Sequence, residues 1–295
     1  MTVKLMVTGA NGQVGTSLQQ RAERLGWQVL AVDRNELDIT DRAAVLQAST
    51  QFQPNVIINA AAHTAVDKAE TELEASYAIN RDGPQYLAEA ASACNALLLH
   101  ISTDYVFAGD KAGIYLETDP VAPQGVYGAS KLAGELAVAQ HCAKHLILRT
   151  AWVFGEHGNN FVKTMLRVGS MRASLNVVAD QFGGPTYAGD IADALLTMAA
   201  QALKPEFSAW GVYHFSGAPH VSWHGFAEAI FSKAAELTLL DKVPTVNAIS
   251  TSEYPTPARR PANSRLDCHK IQQVFGIEPS NWQRALANLQ QYLPQ

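Results

Sequence analysis

Short apolar segments alternate with longer, helix-length segments along the first half of the chain. The short segments predict buried strands at 4–8, 29–32, 56–58, 97–102 and 145–149. The longer segments predict helices near 14–25, 41–50, 67–78, 84–93 and 127–143. Because parallel strands need crossover connections, this alternation predicts an α/β fold with a Rossmann-type, doubly wound parallel sheet.

The pattern loosens after about residue 150. Helical segments are predicted at 161–171, 189–202 and 222–235, and they alternate with loops rich in glycine and proline. We therefore expect a main domain at 1–150 and a smaller, irregular C-terminal lobe at 151–295. Some segments of that lobe are expected to return to the main domain.

Composition and charge exclude several classes of protein. Hydrophobic residues make up 47% of the chain and charged residues 17%, which favours a well-buried core. With a net charge of −5, non-specific nucleic-acid binding is not expected, because phosphates require a basic surface. The longest apolar stretch, at 97–101, is too short to span a membrane. Together with three widely spaced cysteines and the lack of a signal-peptide pattern, this predicts a cytoplasmic protein.

A glycine-rich loop follows the first predicted strand and opens the first helix. Gly9, Gly12 and Gly15 would let the backbone approach a pyrophosphate at the positive end of that helix. Asp33 ends the second strand, where it would accept hydrogen bonds from an adenosine ribose, while Arg34 would instead suit a 2′-phosphate. The loop predicts a dinucleotide-binding domain at 1–150, with NADH and NADPH both open as the cofactor.

A tyrosine and a lysine with i, i+4 spacing predict a catalytic pair. Tyr127 and Lys131 would share one helix face, and the ammonium would lower the pKa of the phenol towards neutrality. Such spacing is common on protein surfaces, but a third element strengthens the interpretation. Thr103 lies just past the fourth strand, where its hydroxyl would hold a substrate carbonyl.

These elements resemble the extended short-chain dehydrogenase/reductase superfamily, and further motifs resemble the dTDP-4-dehydrorhamnose reductase family within it. The matching segments are 59–70, 102–107, 126–135, 149–154, 158–161, 180–186 and 254–261. The resemblance extends from residue 4 to about residue 290. It implies NAD(P)H-dependent reduction of the C4 ketone of dTDP-4-dehydro-L-rhamnose, a nucleotide sugar used for bacterial surface polysaccharide, by a monomer or homodimer.

The resemblance also implies roles for individual residues. Tyr127 is the expected proton donor, Lys131 holds the nicotinamide ribose, and Thr103 bonds the reacting oxygen. Besides the loop glycines, the implied cofactor contacts are Gln13, Val14, Asp33, Asp38, Ile39, Ala62, His63, Thr64 and Lys131. The implied substrate contacts are Thr103, Asp104, Tyr127, Trp152 and Asn160. Arg259, Arg260 and Arg265 cluster in an otherwise acidic chain, and we expect at least one to reach the substrate pyrophosphate.

One departure from the resemblance concerns metal binding. Some members are described as dimers that share Mg²⁺ through glutamates, but this chain has Ser17 and Gly189 at two of those positions, with Asp190 adjacent to the second. The substitutions argue against a metal-linked dimer, and no metal ligand is predicted.

Three other functions compete with a reductase. A nucleotide-sugar dehydratase would carry Asp-Glu after the threonine, whereas here Tyr105 follows Asp104. A nucleotide-sugar epimerase would retain its NAD through the cycle without net consumption. A non-catalytic regulatory subunit of the methionine adenosyltransferase type resembles the same family, but the intact Thr103, Tyr127 and Lys131 favour an enzyme.

Overall fold

The computed structural model describes residues 2–293. Its N-terminal half contains β1 (Lys4–Thr8), α1 (Gln13–Arg24), β2 (Gln28–Val32), α2 (Arg42–Phe52), β3 (Val56–Asn59), α3 (Val66–Ala69), α4 (Leu73–Tyr77), α5 (Gly83–Ala93), β4 (Leu97–Thr103), α6 (Val126–His141) and β5 (His145–Thr150). The C-terminal half contains β6 (Val153–Phe154), α7 (Phe161–Gly169), β7 (Ser174–Val178), β8 (Phe182–Gly183), β9 (Thr186–Tyr187), α8 (Ala188–Ala202), β10 (Gly211–His214), β11 (Gly217–Ala218), β12 (Val221–Ser222), α9 (Trp223–Glu236), β13 (Thr245–Ile249), β14 (Asn263–Ser264), α10 (His269–Phe275), β15 (Ser280–Asn281) and α11 (Trp282–Ala285).

The main sheet is parallel throughout, with the strand order β10-β5-β4-β3-β1-β2. Successive strand residues face opposite layers. Leu5 and Val7 pack against α1 and α8, whereas Met6 packs against α2, α5 and α6. The predicted doubly wound Rossmann-type sheet is therefore confirmed, with both faces of its strands buried by helices.

The prediction of one continuous helix at 67–78 is wrong. The chain forms the short helices α3 and α4, and α4 runs into a π-helical turn at Ala78–Asp82 before α5. Within this turn Asn80 is fully buried, and its side chain bonds both the backbone of His63 and the hydroxyl of Ser130. The widened turn thus directs a polar side chain inward, which hydrophobic periodicity does not reveal.

Part of the C-terminal half belongs to the main sheet. Strand β10 adds to the sheet beside β5, and α8 packs on the same face as α1. The four-residue β10 was not predicted because Gly-Val-Tyr-His shows no strand periodicity. Small two- and three-stranded sheets form the rest of this half, around a core that includes Phe154, Phe226 and Trp282. Within residues 2–293, no helix is long and apolar enough to cross a membrane.

Candidate active site

A cavity of about 920 Å³ opens at the carboxyl ends of the main-sheet strands. This is where ligands bind in doubly wound sheets. The lining includes predicted site residues from both halves of the chain: Gly9, Gly12, Gln13, Val14, Asp33, Asp38, Ile39, Ala62, His63, Thr64, Thr103, Asp104, Tyr127, Lys131 and Trp152. The fold therefore brings the residues predicted for cofactor, sugar and catalysis to one site.

The glycine loop has the geometry of a phosphate cradle. Gly12 is the N-cap of α1 and lines the cavity, so it adds no side chain above the first N–H groups of the helix. Gly9 has a φ of +70°, and a Cβ there would lie 2.6 Å from the backbone nitrogen of Ala61. A Cβ on Gly15 would lie 2.1 Å from the carbonyl oxygen of Gly9. Gly15 thus permits close packing rather than lining the cavity, and the loop fits a dinucleotide pyrophosphate.

The end of β2 carries both residues expected to distinguish the two cofactors. The Asp33 carboxylate accepts a hydrogen bond of 2.8 Å from the backbone of Asn35 and another from the side chain of Asn11. Arg34 lines the same cavity. The end of β2 therefore provides both an acceptor for ribose hydroxyls and a cation for a 2′-phosphate. This region fits either cofactor.

Close backbone packing positions Tyr127 in the first turn of α6. The Glu70 carboxylate accepts a hydrogen bond of 2.9 Å from the Val126 N–H, which anchors the start of the helix. A Cβ on Gly128 would lie 2.2 Å from the carbonyl oxygen of Tyr105, so only glycine allows this approach. The Tyr105 and Tyr127 rings meet edge to face, 5.3 Å apart. These contacts hold the phenol beside the end of β4, where Thr103 lies.

Burial dominates the electrostatics of the catalytic pair. It raises the pKa of Tyr127 to about 12, with a further increase from Asp104 and an opposing hydrogen bond from Thr103. Burial also lowers the pKa of Lys131 to about 8. The Lys131 ammonium group donates a hydrogen bond of 2.6 Å to the carbonyl oxygen of Ile101. Desolvation of the phenolate is the largest effect on Tyr127, and the predicted lowering of its pKa by Lys131 stays a prediction.

Asp104 is buried next to Thr103 and takes part in its hydrogen bonding. The Thr103 hydroxyl donates to Asp104 Oδ1 over 3.0 Å and accepts from the Tyr105 N–H over 3.2 Å. Burial raises the pKa of Asp104 to about 6. The carboxyl group is therefore mostly ionised at neutral pH and can accept hydrogen bonds, and Asp104 lines the cavity.

The three C-terminal arginines are engaged outside the cavity lining. Arg260 forms an ion pair of 2.7 Å with Asp67, and Arg259 donates to the side chain of Gln124. Arg265 donates to the Asn263 side chain and to the carbonyl oxygen of Ala112. Each guanidinium uses only part of its five N–H donors in these contacts, and Arg260 Nη1 is buried without a partner, so the expectation that one of them reaches the pyrophosphate stays a prediction.

Asn160 makes structural contacts in the fold, and the substrate contact predicted for it stays a prediction. Its side chain caps α7 by accepting from the Lys163 N–H over 3.1 Å. The amide donates to Gln13 Oε1 over 3.0 Å and to the carbonyl oxygen of Gly155 over 2.7 Å. Asn160 therefore holds the side chain of Gln13, and Gln13 in turn lines the cavity.

Trp223 is a neighbour of the site that no motif in the sequence indicated. Its indole stacks on Trp152, which lines the cavity. Trp152 has a φ of +50°, and a Cβ on Gly183 would lie 2.6 Å from its indole ring. The only signal in the sequence was the glycine pair at 183–184, because a bare backbone there admits a large ring.

The region of the metal-ligand substitutions does not fit a divalent cation. Ser17 lines a second cavity of about 660 Å³ together with Arg21, Arg24 and Lys163. Asp190 accepts a hydrogen bond of 2.7 Å from Ser280. Within residues 2–293, no group of three or more His, Cys, Asp or Glu is placed to hold a metal. Arg21, Arg24 and Lys163 outnumber Glu156, the single carboxylate in this lining, and would repel Mg²⁺, which takes oxygen ligands.

Comparison with known proteins agrees with this geometry. The family model for the "RmlD substrate binding domain" matches residues 3–293. A protein from Aggregatibacter actinomycetemcomitans named dTDP-4-dehydrorhamnose reductase is 54% identical, over 98% of this chain and 99% of its own length. A crystal structure of a dTDP-4-dehydrorhamnose reductase from Clostridium acetobutylicum has a TM-score of 0.90 and 39% identity, covering 97% of this chain and 98% of its own. The Bacillus anthracis reductase, solved in complex with NADP, has a TM-score of 0.90 and 37% identity, covering 98% of this chain and 99% of its own.

Proposed function

The chain belongs to the RmlD family of dTDP-4-dehydrorhamnose reductases, and on this basis we propose how its residues carry out the reaction. The enzyme reduces the C4 ketone of dTDP-4-dehydro-L-rhamnose to dTDP-L-rhamnose with NADPH or NADH, in the biosynthesis of dTDP-rhamnose. We further propose that it acts in the cytoplasm, as a monomer or homodimer without a bridging metal.

One observation carries the assignment of the residues. The glycine loop, Thr103, Tyr127 and Lys131 all line a single cavity at the carboxyl ends of the strands. A reductase needs a dinucleotide site that faces the carbonyl carbon and a proton donor that faces the oxygen of the same carbonyl group. This cavity supplies both, and Trp152 and Asp104 line it as well.

Tyr127 and Thr103 act on the ketone oxygen. A reduced nicotinamide bound in this cavity would supply the hydride for C4, so that negative charge would develop on the oxygen. The Thr103 hydroxyl and the Tyr127 phenol donate hydrogen bonds to that oxygen, and Tyr127 transfers its proton as the alkoxide forms. A phenol with a pKa of about 12 is fully protonated at neutral pH, as a proton donor must be.

Lys131 and Asp104 orient the two ligands. The Lys131 side chain lines the cavity one helical turn after Tyr127, and its amino group would hold the nicotinamide ribose. Asp104 offers carboxylate oxygens to the sugar hydroxyls beside the reacting carbon. Gln13 and the N–H groups at the start of α1 would bind the cofactor pyrophosphate.

The competing functions lack support at the same positions. A dehydratase needs a second carboxyl group after Asp104, and the Tyr105 ring occupies that position against Tyr127. An epimerase would regenerate its cofactor in each cycle. A purely regulatory subunit would not require Thr103, Tyr127 and Lys131 to share one cavity.

Reaction stoichiometry tests the proposal. With dTDP-4-dehydrorhamnose as the substrate, we expect one NADPH or NADH oxidised for each ketone consumed, and dTDP-rhamnose as the product. Conversion of the ketone without net cofactor oxidation would indicate an epimerase. If neither ketone nor cofactor is consumed, the proposed activity is wrong.

A further inference from the structure

A buried chain of polar side chains extends from β1 to the inner side of Lys131. The Thr8 hydroxyl donates to Asn59 Oδ1 over 2.8 Å, and Asn59 Nδ2 lies 3.0 Å from His100 Nδ1. His100 Nε2 lies 3.5 Å from Lys131 Nζ. Thr8, Asn59 and His100 are at most 1% exposed, so these hydrogen-bonded side chains lie within the core.

The orientation of the Asn59 amide follows from a backbone donor. The Ala61 N–H lies 3.1 Å from Asn59 Oδ1, and a backbone N–H can only donate. The oxygen must therefore face Ala61 and Thr8, which leaves the amide nitrogen facing His100. Exchanging the two amide atoms would place two donors against each other at Ala61.

This orientation determines the tautomer of His100. Because Asn59 Nδ2 can only donate, His100 Nδ1 must accept, and the neutral ring carries its proton on Nε2. Burial and the charge of Lys131 hold the pKa of His100 well below its ordinary value, so the ring is neutral. The protonated Nε2 faces Lys131 Nζ.

We propose that Asn59 fixes His100 as the Nε2–H tautomer, and that this N–H favours the neutral amine of Lys131 by donating towards its nitrogen. An ammonium group would meet this N–H donor to donor, whereas a neutral amine accepts from it. The amine keeps two hydrogens, one of which it donates to the Ile101 carbonyl. His100 is thus a positioning residue that makes Lys131 easier to deprotonate.

The charged groups around Lys131 agree with this effect. Glu135 on α6 favours the ammonium, but its carboxylate is bound by Arg149 of β5 over 2.6 Å. Tyr127 on α6 is a neutral phenol at working pH. Asp104 after β4 and His63 after β3 line the cavity, and His63 is bonded to Ser76. Burial, opposed by Glu135, lowers the pKa of Lys131 to about 8.

The consequence for the reaction rests on the proposed function. After Tyr127 has given its proton to the alkoxide, its phenolate must be reprotonated. A readily deprotonated Lys131 supplies that proton: an N–H bond breaks, the phenolic O–H bond forms, and a neutral amine remains. The amine then regains a proton from solvent through the cavity that Lys131 lines.

The tautomer can be measured directly in the wild-type protein. In ¹⁵N NMR of histidine-labelled protein, with His100 assigned through His100→Gln, we expect a protonated Nε2 and an unprotonated Nδ1 from about pH 6 to 9. A protonated Nδ1, or a ring that titrates in this range, would overturn the proposal. The measurement needs no substrate, so its outcome is independent of whether the reductase activity is found.

A substitution at Asn59 tests the effect on Lys131. In Asn59→Asp the carboxylate can only accept, so His100 must protonate Nδ1 and present Nε2 as an acceptor to the ammonium. We expect the proton affinity of Lys131, followed by ¹³C NMR of its Cε and assigned with Lys131→Met, to rise at least about tenfold. Thermal unfolding checks that each variant folds. If Asn59→Asp does not fold, the tautomer measurement on the wild-type protein decides the proposal.

The charge introduced by this substitution requires a control. Asn59→Asp in a His100→Phe background retains the new carboxylate but removes the imidazole that transmits the effect. We expect a much smaller rise in proton affinity in that background. An equal rise in both backgrounds would show that charge alone acts on Lys131 and would overturn the role of His100.

Discussion

Trp152 and Trp223 stack with their ring centroids 3.6 Å apart and their planes 12° from parallel. Trp152 follows β5 of the main sheet and lines the active-site cavity, whereas Trp223 begins α9 in the C-terminal half. Phe161 packs against the far side of this pair, 4.6 Å from Trp223. The stack therefore couples the packing of the C-terminal half to the lining of the active-site cavity.

We expect Trp223→Ala to weaken sugar-nucleotide binding while chemistry is largely retained. Loss of an aromatic pair costs about 1 kcal/mol beyond buried area, so KM for the sugar nucleotide should rise roughly fivefold with a smaller change in kcat. Trp223→Phe keeps a ring and should restore most of the affinity. Steady-state kinetics measure both constants, and Trp210→Phe, which alters the main-domain core, is the matched control. An unchanged KM in Trp223→Ala would show that the stack does not position Trp152.

Alanine at two loop glycines should separate cofactor binding from folding. A Cβ on Gly12 meets its nearest protein atom at 3.2 Å but enters the cavity, so Gly12→Ala should fold and bind NADPH at least about tenfold more weakly. A Cβ on Gly15 would lie 2.1 Å from Gly9, so Gly15→Ala should lose about 1–3 kcal/mol of unfolding free energy. Cofactor titration and urea unfolding distinguish the two effects. A fully stable Gly15→Ala would contradict the packing role.

The free energy of unfolding should depend strongly on both residues of the buried Arg149–Glu135 pair. The two side chains are 5% and 4% exposed and form two hydrogen bonds, of 2.9 and 2.6 Å. Arg149→Met leaves an uncompensated buried carboxylate and should cost about 3–5 kcal/mol in urea unfolding. The double variant Arg149→Met/Glu135→Leu should recover much of that loss. If the double variant is as unstable as the single one, the uncompensated charge is not the cause.

Asp104 should make the protein less stable as the pH rises. Because burial raises its pKa from 3.8 to about 6, the folded state binds a proton that the unfolded state releases between these values. The stability that this group contributes is fully present below about pH 4 and is lost as the pH rises through about 6. Relative to Asp104→Asn, wild type should therefore lose up to about 3 kcal/mol of unfolding free energy over this range. A pH-independent difference in urea unfolding would contradict the shifted pKa.

The sequence predicted the elements whose signals are local. Strands such as β1 and β3 are runs of apolar residues that both faces of the sheet bury, and the glycine loop combines composition with position. Tyr127 and Lys131 could be paired because i, i+4 spacing alone places them on one helix face. Strand β10 is short, and its place beside β5 depends on how the C-terminal half folds back.

The missed features depend on contacts distant in sequence. Arg260 belongs to a basic run for which phosphate binding is predicted, and its ion pair with Asp67 joins residues far apart in the sequence. In the sequence, Trp223 has no feature that distinguishes it from other helix residues. Its stacking on Trp152 forms only in the folded protein. The pKa of Tyr127 depends on burial, which spacing to Lys131 does not indicate.

The most direct test of the proton-donor assignment is the rate of NADPH oxidation with dTDP-4-dehydrorhamnose in wild type, Tyr127→Phe and Tyr86→Phe. Tyr86 lies on α5, on the other side of the sheet from α1, and serves as a matched loss of one hydroxyl. We predict that Tyr127→Phe lowers kcat about 100-fold or more while cofactor affinity is retained, and that Tyr86→Phe matches wild type. Equal rates in wild type and Tyr127→Phe would contradict the assignment of Tyr127 as the proton donor.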